Sequence, residues 1–275
     1  MFNLFFDFLH NFEPQPIILR LGFLNIYWYS CLIVLGLLLG LILVFKLSPR
    51  FKIKKELLEN LFFYLVISGF LGARLYHVLS ELPYYLNHPW QVFAIWQGGL
   101  GIYGAIVVGC LVLFWFGRKN KINFLSLTDL LAPSLILGQA IGRWGNYFNQ
   151  EIFGKPTDLP WGIPIQIGSR PLEFLSNQYF HPTFLYESIW NFLIFLFLIF
   201  VLIKISPKPG RIFSLYLIFY SLGRFFFEFL RIDVQPTLFN MRLAQIVSLL
   251  VFLFGFYLLI KKRPFKKLLK QRETV

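Results

Sequence analysis

Leu32-Ile33-Val34-Leu35-Gly36-Leu37-Leu38-Leu39-Gly40-Leu41-Ile42-Leu43-Val44-Phe45 has no polar side chain, and Lys46, Arg50, Lys52, Lys54 and Lys55 follow it at once. Taken back to Leu21, the segment is long enough to cross a hydrocarbon layer about 30 Å thick as a helix rising about 1.5 Å per residue. A helix is the expected form because a backbone in lipid must satisfy its own hydrogen bonds. Six further segments read the same way: Leu57–Leu79, Val92–Phe116, Phe124–Tyr147, Ser188–Ile203, Ile212–Leu230 and Met241–Ile260. The sequence therefore predicts an all-α integral membrane protein of seven transmembrane helices. It forms a single polytopic domain over residues 1–275.

Composition agrees. Of 275 residues 57% are hydrophobic, 35 are Phe, and only 14% are charged, against about 25% charged in a soluble domain. Disorder, which needs low hydrophobicity, is excluded. The net charge is +13, but the basic residues sit in clusters between apolar runs. They topologically mark one membrane face and do not point to nucleic acid. Beside Lys46–Lys55 the clusters are Arg118, Lys119 and Lys121; Lys204, Lys208 and Arg211; and a basic tail at about 261–275. All fall on one side of a seven-span chain, so the N-terminus is expected outside and the C-terminus in the cytoplasm. The first twenty residues, with Asp7, Glu13, Pro14 and Pro16, do not read as a cleavable signal peptide. Cys31 and Cys110 lie in apolar runs and are expected as buried free thiols. No spacing of ligands suggests a metal site.

The long connection, about 149–187, falls on the outer side. Its Pro, Gly and Trp content, as in Gly154-Lys155-Pro156-Thr157-Asp158-Leu159-Pro160-Trp161-Gly162, predicts an ordered interfacial segment.

Arginines in apolar runs are costly, by about 2.5–3.5 kcal/mol at the bilayer centre. Arg74, Arg143 and Arg224 fall in such runs. Each either snorkels or pairs with a carboxylate, or else marks a site. Arg143 sits in Gly142-Arg143-Trp144-Gly145-Asn146-Tyr147-Phe148-Asn149-Gln150-Glu151, where flanking glycines permit close approach of a backbone or a ligand. Tyr220, Arg224, Glu228 and Arg231 are spaced to share one helical face. One carboxylate cannot neutralise two arginines, so this face is expected to attract an anion, and a guanidinium fork suits phosphate. In Gln97-Gly98-Gly99-Leu100-Gly101-Ile102-Tyr103-Gly104-Ala105 the small residues serve either tight helix packing or a cavity into which Tyr103 points.

These stretches, together with Ile26-Tyr27-Trp28-Tyr29, Gly72-Ala73-Arg74-Leu75-Tyr76, His181-Pro182-Thr183-Phe184-Leu185-Tyr186-Glu187 and Arg224-Phe225-Phe226-Phe227-Glu228-Phe229-Leu230-Arg231, occur in the order seen in one family. The chain resembles the bacterial phosphatidylglycerol–prolipoprotein diacylglyceryl transferases over most of its length. The resemblance implies transfer of the diacylglyceryl group of phosphatidylglycerol to the lipobox cysteine of a prolipoprotein signal peptide. The products are a thioether and glycerol phosphate, no cofactor is needed, and the place is the bacterial cytoplasmic membrane. On this reading Arg143 and Arg224 grip the phosphate, Asn146 adds a donor, and Glu228 orients Arg224.

Arg74, Asn149, Gly154, Tyr220 and Arg231 are expected among the substrate-binding residues. Tyr29 lines the lipid cavity or sits in the interfacial aromatic belt. Glu151 pairs with Arg143 or holds the outer segment, and His181 binds substrate or anchors the loop before Pro182. Many relatives carry histidine where this chain has Tyr103. A histidine near pKa 6.5 suits proton abstraction at neutral pH, whereas a phenol near 10 needs help. Tyr103 is thus a base, a hydrogen-bonding group for the lipid, or packing. The rival readings are a small lipid transporter, for which no internal repeat is seen, and a metal-dependent lipid phosphotransferase. Only Asp129 and Glu228 clearly sit within spans, too few for a two-metal site.

Overall fold

The computed structural model describes residues 2–22, 24–205 and 208–261; the basic tail beyond 261 lies outside them. In chain order the elements are α1 (Phe2–Asn11), β1 (Ile17–Leu21), β2 (Leu24–Tyr27), α2 (Trp28–Phe51), α3 (Lys55–Ser80), α4 (Leu82–Asn87), α5 (Ile102–Lys119), α6 (Phe124–Phe148), β3 (Ile163–Pro164), β4 (Tyr179–Phe180), α7 (Thr183–Ile205), α8 (Arg211–Phe227), β5 (Thr237–Leu238), β6 (Met241–Arg242) and α9 (Leu243–Ile260). Helices dominate, and among the described residues six are long and apolar enough to cross a membrane. The predicted sixth span is α8, only 17 residues long. Its C-terminal residues 228–230 leave the helix as a turn.

The strands were not legible as such. Each antiparallel pair, β1–β2, β3–β4 and β5–β6, stands alone as two strands. The first takes up the beginning of the predicted Leu21–Phe45 span, so the helix starts at Trp28. The predicted span at Val92 also starts late. Residues 89–97 form short 3₁₀ turns, Gly98 and Gly99 adopt φ of +90° and +75°, and helix resumes only at Ile102. The span read as Ser188–Ile203 gains its first turn from Thr183, just after Pro182, where proline suits a helix start. Apolar side chains cover the outward helix faces, as at Phe63, Leu71 and Leu250. Cys31 and Cys110 are free but exposed on such faces, not buried, because no protein covers those faces.

The chain divides into two compact units, Leu38–Ser134 and the remainder, with the divisions inside α2 and α6. In the Leu38–Ser134 unit α3 and α5 pack backbone to backbone. A Cβ on Gly104 would stand 2.0 Å from the Gly72 carbonyl oxygen, and one on Gly72 would stand 2.7 Å from that of Gly104. The Gly101 amide donates to the Ala73 carbonyl oxygen at 2.9 Å. Gly104→Ala therefore runs into the Gly72 backbone and the Tyr76 Cβ, neither of which can swing away, and must part the helices. Overpacking of this kind costs about 1–3 kcal/mol or more, and a lowered thermal unfolding midpoint in detergent is the expected reading.

In the other unit the 149–187 segment is ordered around its own apolar cluster. Leu9 of α1, Tyr147, Phe153, Ile163, Ile165, Phe180, Phe184 and Leu185 are buried together. His10 of α1 stacks on Tyr179, ring centroids 4.0 Å apart, and its Nδ1 lies 2.8 Å from the Gly162 carbonyl oxygen. The segment is tied back to the end of α8. Gly154 bridges Arg231, and the Lys155 amide donates to the Leu230 carbonyl oxygen at 2.8 Å.

Candidate functional site

Three helices of the larger unit supply the charges. α7 lies against α8 because Gly223 has no side chain: a Cβ there would meet the Trp190 indole at 2.2 Å, and that indole donates to the Phe219 carbonyl oxygen at 3.0 Å. α6 meets α7 where the Ser188 hydroxyl donates to the Ala140 carbonyl oxygen at 2.8 Å. These two contacts bring Arg143, Glu187 and Arg224 together.

Glu187 is the hinge of the arrangement. Its Oε2 lies 2.7 Å from Arg143 Nη2, and its Oε1 lies 3.8 Å from Arg224 Nη1. Arg143 Nη1 also donates to Asn146 Oδ1 at 3.3 Å. The Asn146 amide donates in turn to Glu151 at 2.8 Å, and Asn149 reaches the same oxygen at 3.5 Å. Glu151 thus touches Arg143 only through Asn146. On the other side Arg224 Nη1 lies 2.9 Å from Glu228 Oε2. Glu228 is fully buried and also receives Arg242 at 2.9 Å and Arg231 at 3.9 Å. Arg231 makes a two-pronged pair with Asp233, at 2.8 and 3.0 Å.

The single helical face expected for Tyr220, Arg224, Glu228 and Arg231 is not formed, because α8 ends at Phe227 and a turn separates it from Arg231; the charges instead join a larger cluster. Arg143, Arg224, Arg231 and Arg242 meet Glu187, Glu228 and Asp233, which leaves one positive charge in excess. Glu187, Asp233 and Arg242 were missed as site residues. The signal for Glu187 is a carboxylate one turn into an apolar helix; Asp233 precedes, and Arg242 ends, a hairpin that the hydropathy hides. Arg143 and Arg224 each keep 17% of their side-chain surface accessible, and Arg224 Nη1 is buried without a hydrogen-bond partner. A planar guanidinium fork matches a phosphate. Among the described residues no cluster of three His, Cys, Asp or Glu offers a metal site.

The flanking glycines of Arg143 differ. A Cβ on Gly145 would stand 2.2 Å from the Tyr29 ring, so this glycine lets Tyr29 lie flat on α6, whereas a Cβ on Gly142 would meet nothing within 4 Å. Tyr220 stacks on Tyr216, centroids 5.7 Å apart, and Gln139 donates to the Tyr216 hydroxyl at 3.1 Å. Gly154 makes room for His181, whose Cβ lies 2.7 Å from where its own would be. His181 Nδ1 is 3.2 Å from the Tyr186 hydroxyl, which also accepts from Trp161. Burial, and then the charge of Lys155, holds His181 below its ordinary value.

Arg74 and Tyr103 belong to the Leu38–Ser134 unit. Among the described residues Arg74 meets no carboxylate. It donates to the backbone carbonyls of Gln91, Val92, Gly98 and Gly99, and its guanidinium lies 5.4 Å from the centre of the Tyr85 ring. It is built to hold the turn that precedes α5. Tyr103 is more than half exposed, with its ring 5.7 Å from that of Tyr76.

Burial alone would raise the Asp233 carboxyl. Hydrogen bonds from Arg231 and Gln235, with the charges of Arg231 and Arg242, outweigh it and hold the group below its ordinary 3.8. A depressed acid stabilises the fold above its unfolded value and loses that contribution as pH falls through the folded one. Asp233→Asn is thus expected to unfold earlier than the parent at pH 7, with the gap in unfolding midpoint closing as pH drops below about 4.

The family model described as prolipoprotein diacylglyceryl transferase matches residues 16–261. A protein of Nostoc sp. is 45% identical over 261 residues, 92% of each chain. One from Gloeobacter violaceus is 46% identical over 242 residues, 86% of this chain and 88% of that one. One from Acaryochloris marina is 48% identical over 239 residues, 86% and 87%. All three are named phosphatidylglycerol–prolipoprotein diacylglyceryl transferase.

Proposed function

We infer the reaction of this chain from its kinship and its arginine cluster: it belongs to the prolipoprotein diacylglyceryl transferase family. It transfers the diacylglyceryl group of phosphatidylglycerol to the lipobox cysteine of a prolipoprotein, forming a thioether and releasing glycerol phosphate. This is the first step of lipoprotein maturation. The observation that carries the reading is the pair Arg143 and Arg224, brought together on one carboxylate with part of each side chain accessible.

A thiol must displace a phosphate ester at carbon. Two guanidiniums stabilise the charge that grows on the leaving phosphate. Asn146, fixed by Glu151, holds Arg143 from behind, and Glu228 holds Arg224. Tyr29, Asn149, Gly154, His181, Tyr220 and Arg231 shape the surroundings of that pair. For Arg74 the hydrogen bonds favour a part in building the chain ahead of α5, and for Tyr103 the exposed ring favours lipid contact.

The chain is a multi-pass protein of the bacterial cytoplasmic membrane. With α8, about 26 Å long at 1.5 Å per residue, counted as a span the total is seven, and the clustered Lys and Arg favour an outer N-terminus. Its partners are the bilayer, phosphatidylglycerol and the signal peptide that carries the lipobox cysteine. The test is to incubate purified protein with phosphatidylglycerol and a synthetic lipobox peptide and follow the peptide mass. A gain of one diacylglyceryl unit, absent from a serine peptide, supports the reading. Binding of the lipid with no change in peptide mass overturns it.

A further inference from the structure

We propose that Glu187 is the proton acceptor for the attacking thiol. The proposal rests on the transferase reading above. A free thiol near pKa 8.5 is only a few per cent ionised at neutral pH, so the reaction needs somewhere for the proton to go. The larger unit offers few takers. Both oxygens of Asp233 are held by Arg231. Glu228 Oε1 is held by Arg242, and its Oε2 lies against Arg224. Glu151 is engaged by two amides and stands on the exposed side. His10 is spent on the Gly162 carbonyl, and His181 on Tyr186.

Glu228 Oε2 also lacks a hydrogen-bond donor, but each Glu228 oxygen has an arginine nitrogen at 2.9 Å, whereas Arg224 stands 3.8 Å from Glu187 Oε1. Glu187 Oε2 is fixed by Arg143, but its Oε1 is buried without a hydrogen-bond donor, between the two arginines. A buried acceptor left unmatched is unfavourable, and it is satisfied by a donor that arrives with the substrate. The thiol is such a donor. Held by Arg143 and Arg224, the phosphate brings the carbon that the sulfur attacks close to Oε1.

The step balances. The S–H proton passes to Glu187 Oε1. The sulfur electron pair forms the bond to the glyceryl carbon, and the C–O bond to phosphate breaks with its electron pair kept by oxygen. The carboxylic acid then returns the proton to the departing phosphate monoester, and the carboxylate is restored.

The test compares two nucleophiles. Wild type, Glu187→Gln and Glu187→Asp are assayed with a lipobox peptide carrying cysteine and with the same peptide carrying selenocysteine, whose selenol is already ionised at neutral pH. With cysteine, Glu187→Gln is expected to lose about 100- to 10,000-fold in rate, the usual worth of a general base. With selenocysteine the loss should shrink to less than about tenfold. Glu187→Asp keeps the charge, so it reports the same difference in smaller measure if the glutamine variant does not fold. Equal losses with both peptides would make Glu187 a clamp for the arginines and overturn the proposal, as would a Glu187→Gln enzyme of normal rate on cysteine. A wild type inactive on the cysteine peptide would instead overturn the transferase reading itself.

Discussion

Arg143→Ala is expected to lower kcat by about 100- to 1000-fold, the effect of removing about 3–4 kcal/mol of stabilisation from a developing anion. Arg224→Ala should fall in the same range, since the two guanidiniums share Glu187 and face the same charge. The double variant should lose much less than the product of the single losses, because groups that act as one unit are not additive. Arg143→Lys keeps the charge and loses the planar fork, so it should recover only part of the rate. The measurement is the initial rate of peptide modification at saturating phosphatidylglycerol, with unfolding midpoints as a control. A folded Arg143→Ala protein of near-normal kcat would remove this arginine from the transition state.

The largest loss of stability is expected at Glu228. Its carboxylate is fully buried and faces three arginines. Breaking a buried ion pair by deleting one partner costs about 3–5 kcal/mol, because the remaining charge is left uncompensated. Glu228→Ala should therefore unfold well before the parent in detergent. Removing Arg242 as well should restore part of that loss, since the cycle then deletes one of the stranded charges. A Glu228→Ala protein as stable as the parent would mean that Glu187 and Asp233 suffice to neutralise the cluster.

What could be read from sequence was whatever a single helix carries. The spacing of Tyr220 and Arg224 is a property of α8, whereas Glu228 and Arg231 lie past its end at Phe227; the apolar runs around them announce the membrane. The partners of those residues come from elsewhere. Glu187 reaches Arg143 and Arg224 only because Gly223 admits Trp190, and nothing local to residue 187 records that. Asp233 and Arg242 are placed by a hairpin whose strands are two residues each, too short for any periodicity. Arg74 looked like a site residue because arginine is rare in a span. Its partners are backbone carbonyls, which carry no side-chain signature. The glycines of the third-span motif are explained in part by packing, since Gly104 and Gly72 touch through their backbones.

Gly142 adjoins Arg143 and leads into open space, so it is a place to attach a reporter. Gly142→Cys, in a chain whose exposed Cys31 and Cys110 have been replaced by serine, would carry an environment-sensitive fluorophore next to the arginine pair. Arrival of lipid could then be timed as a change in emission, separately from any chemistry. The same label at position 145 would have to displace the Tyr29 ring, so the two glycines divide into one suited to an optical probe and one closed to it.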